Sequence, residues 1–104
     1  MSFEFNEYQE QAQQFDVSPK SLEYYTLGLA GESGEFAEKV KKVLRGDGEV
    51  YRDELLKELG DVLWYLSALS SYLCVPLSEV ANMNLDKLAD RAERNQLKGS
   101  GDNR

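Results

Sequence analysis

The sequence contains no histidine, a single cysteine (Cys74) and only two prolines, and its 12 basic residues are outnumbered by 19 acidic ones. Each shortage excludes something. Without histidine there is no serine–histidine or cysteine–histidine nucleophile pair. The usual zinc sites and the Glu-x-x-His di-iron bundle are excluded on the same ground. One cysteine permits no intrachain disulfide, which fits a reducing compartment. No apolar run reaches the roughly 18 residues that a membrane-spanning helix needs. Met1 to Glu10 carries glutamates and no basic side chain, unlike a secretory leader, so a cytoplasmic location is expected. The net charge of −7 disfavours direct lysine and arginine contacts to a nucleic acid backbone. A small phosphate ligand stays compatible with that charge where divalent cations bridge it to acidic groups. Any chemistry must therefore come from carboxylates, lysine, tyrosine or bound metal.

What is present is helical. At 104 residues the chain supports one domain and one modest core, and an oligomer interface would add to it. Residues 4 to 15 read as a short helix, with Phe5, Tyr8, Ala12 and Phe15 on one face. Ser18-Pro19 suits the start of a second helix, which runs to about Arg45 and stops at Gly46-Asp47-Gly48. A third helix is expected from about Glu49 to Leu73, broken off by Val75-Pro76. Ser78 can cap a fourth that runs to about Asn95. From about residue 97 the Gly/Ser-containing tail is flexible by composition. Leu22, Tyr25, Leu29, Phe36, Val40 and Val43 share one face of the second helix. Leu55, Leu59, Val62, Leu66, Leu69 and Leu73 do the same on the third. Short connections favour antiparallel neighbours, so the expected fold is all-α, a four-helix, bundle-like arrangement.

Two acidic steps stand out. Glu32-Ser-Gly-Glu35 and Glu58-Leu-Gly-Asp61 each place carboxylates at i and i+3, on nearly the same side of consecutive helices. If the helices pack stripe to stripe, the pairs converge, repel and raise one another's pKa. A hard dication relieves that, and Mg²⁺ favours carboxylate, phosphate and water oxygens. The competing reading is a solvated face, with Glu35–Lys39 and Glu38–Lys42 as ordinary i,i+4 salt pairs. Gly28, Gly31, Gly34 and Gly60 lie inside the two helices, each at a cost of about 1 kcal/mol against alanine. Glycines at such a cost mark either a functional site or a close helix approach. On the fourth helix Asn84, Lys87 and Arg91 lie on one arc, suited either to phosphate oxygens or to a solvated face. Tyr65, Tyr8, Phe5 and Trp64 are candidates to hold a base, or are core aromatics.

Gly28-Leu-Ala-Gly-Glu-Ser-Gly-Glu35, followed after 22 residues by Glu58-Leu-Gly-Asp-Val-Leu-Trp-Tyr-Leu66, closely resembles the MazG-like branch of the all-α nucleotide pyrophosphatases. Tyr8-Gln9, Asn84-x-x-Lys87 and the terminal Gly-Asp-Asn-Arg are similar to that branch too. The resemblance implies a single MazG-like domain over residues 1–104. It implies a hydrolase acting on phosphoric anhydrides that converts nucleoside triphosphates to monophosphate and pyrophosphate, with Mg²⁺, or Mn²⁺ as a substitute. It makes Glu32, Glu35, Glu58 and Asp61 metal ligands, with Glu35 and Glu58 catalytic. Asn84, Lys87, Arg91, Tyr65, Tyr8 and Gln9 become substrate contacts. Homodimers or homotetramers, often with sites built across subunits, are implied, with no nucleic acid or membrane partner. A narrower dUTP-, dCTP- or phosphoribosyl-ATP-type substrate stays open. So does a non-catalytic helical oligomerisation or nucleotide-binding module.

Overall fold

The computed structural model describes residues 4–49 and 51–94. Among them are four helices and no strand: α1 (Phe5–Gln13), α2 (Leu22–Leu44), α3 (Arg52–Tyr72) and α4 (Leu77–Glu93). The expected flexible tail and the expected end of the last helix at Asn95 lie outside the described residues. The all-α, four-helix expectation holds, and its two longest helices fall where the apolar stripes placed them.

The helix ends differ in detail from the sequence reading. α2 starts at Ser21, not Ser18: the Ser21 hydroxyl accepts from the Tyr24 amide at 3.2 Å. Ahead of it, the Tyr25 hydroxyl donates to Asp16 and accepts from the Lys20 amide, so residues 16–20 are tied to α2's side rather than wound into its first turn. α2 ends as expected. Gly46 takes φ +78°, its amide bonds the Val43 carbonyl, and the Asp47 amide bonds the Lys42 carbonyl. This doubly bonded stop requires a left-handed residue, which glycine supplies without strain. α3 ends by the same pattern of bonds, Cys74 to Ser71 and Val75 to Ser70. Here Cys74 occupies the left-handed position at φ +62°, a conformation that costs a non-glycine residue roughly 1–2 kcal/mol.

α4 has Pro76 at its cap position and no cap of its own; Ser78 does not provide one. The caps come from α1. Gln9 Oε1 accepts from the Leu77 amide at 2.7 Å, and Asn6 Oδ1 accepts from the Ser78 amide at 3.0 Å. The Gln9 amide also donates to Ser71 Oγ and to the Val75 carbonyl, each at 3.1 Å. One side chain thus holds both sides of the α3–α4 turn.

α3 is the central helix. It packs against α2 on one side and against α1 and α4 on another, and among the described residues α2 does not pack against α4. Burial is thin. Tyr25, Ala12 and Leu77 are the buried apolar residues, joined by Ser67, Ser70 and Arg91. The apolar stripes are only partly covered: Leu59 remains 49% exposed, Leu66 41%, Leu73 60% and Val43 40%.

Candidate metal centre and substrate site

α2 and α3 run side by side, and their seam carries the acidic steps. Glu32, Glu58 and Asp61 each offer an oxygen such that the three atoms lie within 4.8 Å of one another. Glu32 and Glu58 are half-buried and Asp61 is exposed. Glu35 stands apart from this trio. It is exposed, one turn along α2, although its charge is felt at Glu32. Three of the four expected ligands are therefore together and the fourth is adjacent.

The electrostatics follow from the crowding. Desolvation holds the Glu32 carboxyl above its ordinary value, followed by a hydrogen bond with Glu58 and by the charges of Asp61, Glu58 and Glu35. Two ionised carboxylates have no hydrogen to share, so that bond exists only when one of them carries a proton. Otherwise Glu58 Oε2 is buried with no hydrogen-bond partner among the described residues. A buried carboxylate oxygen without a donor is costly, and a cation satisfies it as well as a proton does. Three carboxylates of mixed burial, open on Asp61's side, form the donor set that suits a hard dication which keeps water and phosphate in its shell. The residues present fit such an ion.

On one flank of the trio Lys39 reaches from α2 to Glu58, Nζ to Oε1 3.9 Å. The sequence reading had given Lys39 to Glu35 on its own helix. On the other flank is Tyr65. A Cβ on Gly28 would lie 2.2 Å from Tyr65 Cε1, so the ring seats against α2 only because residue 28 is glycine. Tyr65's hydroxyl is pushed above its ordinary range, first by burial and then by the neighbouring Tyr24, Glu32 and Asp61, with a hydrogen bond to Tyr24. Tyr24 was missed by the sequence reading. Its position, one turn before Gly28 and two before Glu32, was the available signal. Gly31, Gly34 and Gly60 differ from Gly28: among the described residues, nothing beyond their own stretch of helix comes within 4 Å of where their Cβ would be.

The remaining expected contacts divide. Tyr8 lies close enough to Asp61 to feel its charge, after burial the second cause of its raised pKa. With Glu4, Phe5, Leu63 and Ser78 it lines a cavity of about 540 Å³. Gln9 has its amide committed to the α3–α4 turn, as described. Asn84 and Lys87 line a different cleft of about 490 Å³, with Leu73, Val75, Val80 and Met83. That cleft shares no lining residue with the acidic trio. Arg91 is buried, only 4% exposed, and does not extend the polar stripe to the surface.

Three comparisons bear on this arrangement. Residues 20–95 match the MazG nucleotide pyrophosphohydrolase domain. The gene 37 protein of Mycobacterium phage L5 is 52% identical over 91 residues, covering 84% of this chain and 80% of that one. The crystal structure of iMazG from Vibrio DAT 722 superposes with a TM-score of 0.62 at 28% identity, covering 88% of this chain and 97% of that one.

Proposed function

The chain belongs to the MazG nucleotide pyrophosphohydrolase family, and from that premise we propose that it hydrolyses nucleoside triphosphates to monophosphate and pyrophosphate with Mg²⁺ held by Glu32, Glu58 and Asp61. The observation that carries this reading is the convergence of those three carboxylates within 4.8 Å. The buried, donor-less Glu58 Oε2 supports it. Mn²⁺ serves as a substitute, since it takes the same oxygen ligands. No helix of the described chain is long and apolar enough to cross a membrane, and the cytoplasm, where nucleotides are available, is the location proposed.

The bound ion supplies charge neutralisation on the triphosphate and activation of water at neutral pH. The chain's own residues do the rest. Glu32, Glu58 and Asp61 would hold the ion at the α2–α3 seam. Glu35, adjacent and exposed, completes the ligand set or takes the proton of the attacking water, a role that needs only hydrogen-bond reach. Water attacks the α-phosphorus, the bond from it to the α,β-bridging oxygen breaks, and pyrophosphate departs, the water's proton passing to a carboxylate or to solvent. Tyr65 and Tyr24 border the same seam and offer hydroxyls to sugar or phosphate. The cavity beside Tyr8 is apolar-walled and of the size of a small-ligand pocket, which suits the base. Gln9 acts by holding the frame and does not touch substrate.

Asn84 and Lys87, at the α3–α4 cleft, serve the reaction by contacting phosphate or sugar, with a second subunit extending the site. A homodimer or homotetramer that covers the exposed α3 stripe brings one protomer's α4 towards another's acidic seam. The space open at Gly31, Gly34 and Gly60 accommodates substrate or that neighbour.

Purified protein incubated with Mg²⁺ and each nucleoside triphosphate should yield monophosphate and pyrophosphate. Orthophosphate with diphosphate would refute attack at the α-phosphorus, and no turnover of any nucleotide would refute the enzyme. Within the same panel, turnover confined to dUTP, dCTP or phosphoribosyl-ATP would narrow the substrate. Glu58→Gln should lower kcat at least a hundred-fold, in line with loss of a key electrostatic group, with the helical circular dichroism retained.

A further inference from the structure

Glu58 faces two ways. One of its oxygens belongs to the acidic trio, and Oε1 meets the Lys39 ammonium 3.9 Å away across the α2–α3 seam. The pair is partly sheltered, with side chains 33% and 16% exposed. Lys39 could have paired with Glu35 along its own helix, the commoner arrangement for residues four apart. It instead crosses to the half-buried carboxylate. It also lines a cleft of about 170 Å³ with Lys42, Asp47, Gly48, Glu49 and Glu54, so its long side chain has somewhere to go when it leaves Glu58.

We propose that Lys39 is a placeholder cation, which holds Glu58 and offsets the trio's repulsion until a divalent ion displaces it. The ammonium and the ion compete for one carboxylate, so the chain without nucleotide binds metal less tightly than its acids alone allow. A triphosphate offers Lys39 anionic oxygens in exchange for Glu58. Metal and nucleotide then strengthen each other's binding, equally in both directions. This second half rests on the nucleotide reading above; the competition at Glu58 does not.

The test measures Mn²⁺ binding by the electron-paramagnetic signal of the free ion, with the full-length chain and no turnover. Lys39→Met should bind Mn²⁺ about three- to ten-fold more tightly than wild type in the absence of nucleotide, the scale of a partly sheltered ion pair. Raising the salt should narrow the difference, because the pair is partly screened. Lys39→Arg, which keeps the charge, should bind as weakly as wild type. An α,β-nonhydrolysable triphosphate should tighten Mn²⁺ binding in wild type and do so less in Lys39→Met. Unchanged or weaker Mn²⁺ binding by Lys39→Met would overturn the proposal, as would a wild-type chain that binds no Mn²⁺. Tighter binding by the variant in a chain that cleaves no nucleotide would uphold the competition and remove the enzymatic reading alone.

Discussion

At the residue scale the site is a compromise between folding and binding. Glu32 holds its proton more tightly in the folded chain than its ordinary value of 4.5 allows, burial being the first cause and the neighbouring carboxylates the rest. A carboxyl whose pKa is raised on folding contributes stability that is complete below the ordinary value and lost as pH rises through the shifted one. At neutral pH the metal-free chain therefore carries a penalty at this position. Glu32→Gln should melt at a higher temperature than wild type at pH 7.5 without metal, and the two should converge near pH 4. Adding Mg²⁺ should reverse the order, since the variant lacks a ligand and a ligand stabilises only the state that binds it. A gap that is the same at both pH values would assign the effect to packing instead of charge. The acidic residues themselves were legible from their i,i+3 spacing. That Glu35 stands off while Lys39 crosses to Glu58 was not, because spacing fixes the side of a helix but not which atoms of the neighbouring helix lie opposite. Gly28 was legible as an anomaly; that it seats Tyr65 required the position of α3.

At the element scale, the helices were readable and their caps were not. Gly46 and Pro76 announce ends through backbone constraints that act locally. The caps of α4 come from Asn6 and Gln9, 72 and 68 residues away in sequence, and no local pattern signals them. Ser18 and Ser78 have the right chemistry for caps, and α2's tie to Asp16 and Lys20 and α4's tie to α1 leave neither in use. Gln9 contributes three hydrogen bonds to the α3–α4 turn. Its removal leaves the Leu77 amide and two further groups to find partners, at about 1–3 kcal/mol for such part-buried groups. Gln9→Ala should lower the urea midpoint by that stability while leaving the slope of unfolding unchanged. Its KM for nucleotide, once corrected for the folded fraction, should match wild type. A raised KM with unaltered stability would return Gln9 to the substrate.

For the whole molecule, the apolar stripes that the sequence places on one face each of α2 and α3 are only partly covered. Leu59, Leu66 and Leu73 on α3 remain substantially exposed, and Val80 (43%) and Met83 (66%) on α4 do as well. Contiguous apolar surface of this kind marks an interaction face. A stripe pattern records which residues seek cover and is silent on whether the cover comes from the same chain. The mass in solution, by light scattering after gel filtration, should be two or four times the 11.8 kDa of one chain. Leu66→Lys should shift it towards the single-chain mass, and should lower kcat/KM at least ten-fold where the proposed site is shared between subunits. A wild-type chain that elutes as a monomer with full activity would remove the shared site.

The clasp between α1 and the α3–α4 turn also sets an order of events during synthesis. Asn6 and Gln9 leave the ribosome ahead of the groups they hold, Ser71 to Ser78, which follow more than sixty residues later. At typical elongation rates of about 5–20 residues per second, Asn6 and Gln9 wait roughly 3–14 s for the turn they clasp. The clasp therefore closes after the Trp64 segment of α3 has been made. The chain carries its own reporter of that moment. Trp64, the single tryptophan, donates its indole N–H to the Ala12 carbonyl at 3.2 Å, so its fluorescence registers α1's arrival on α3.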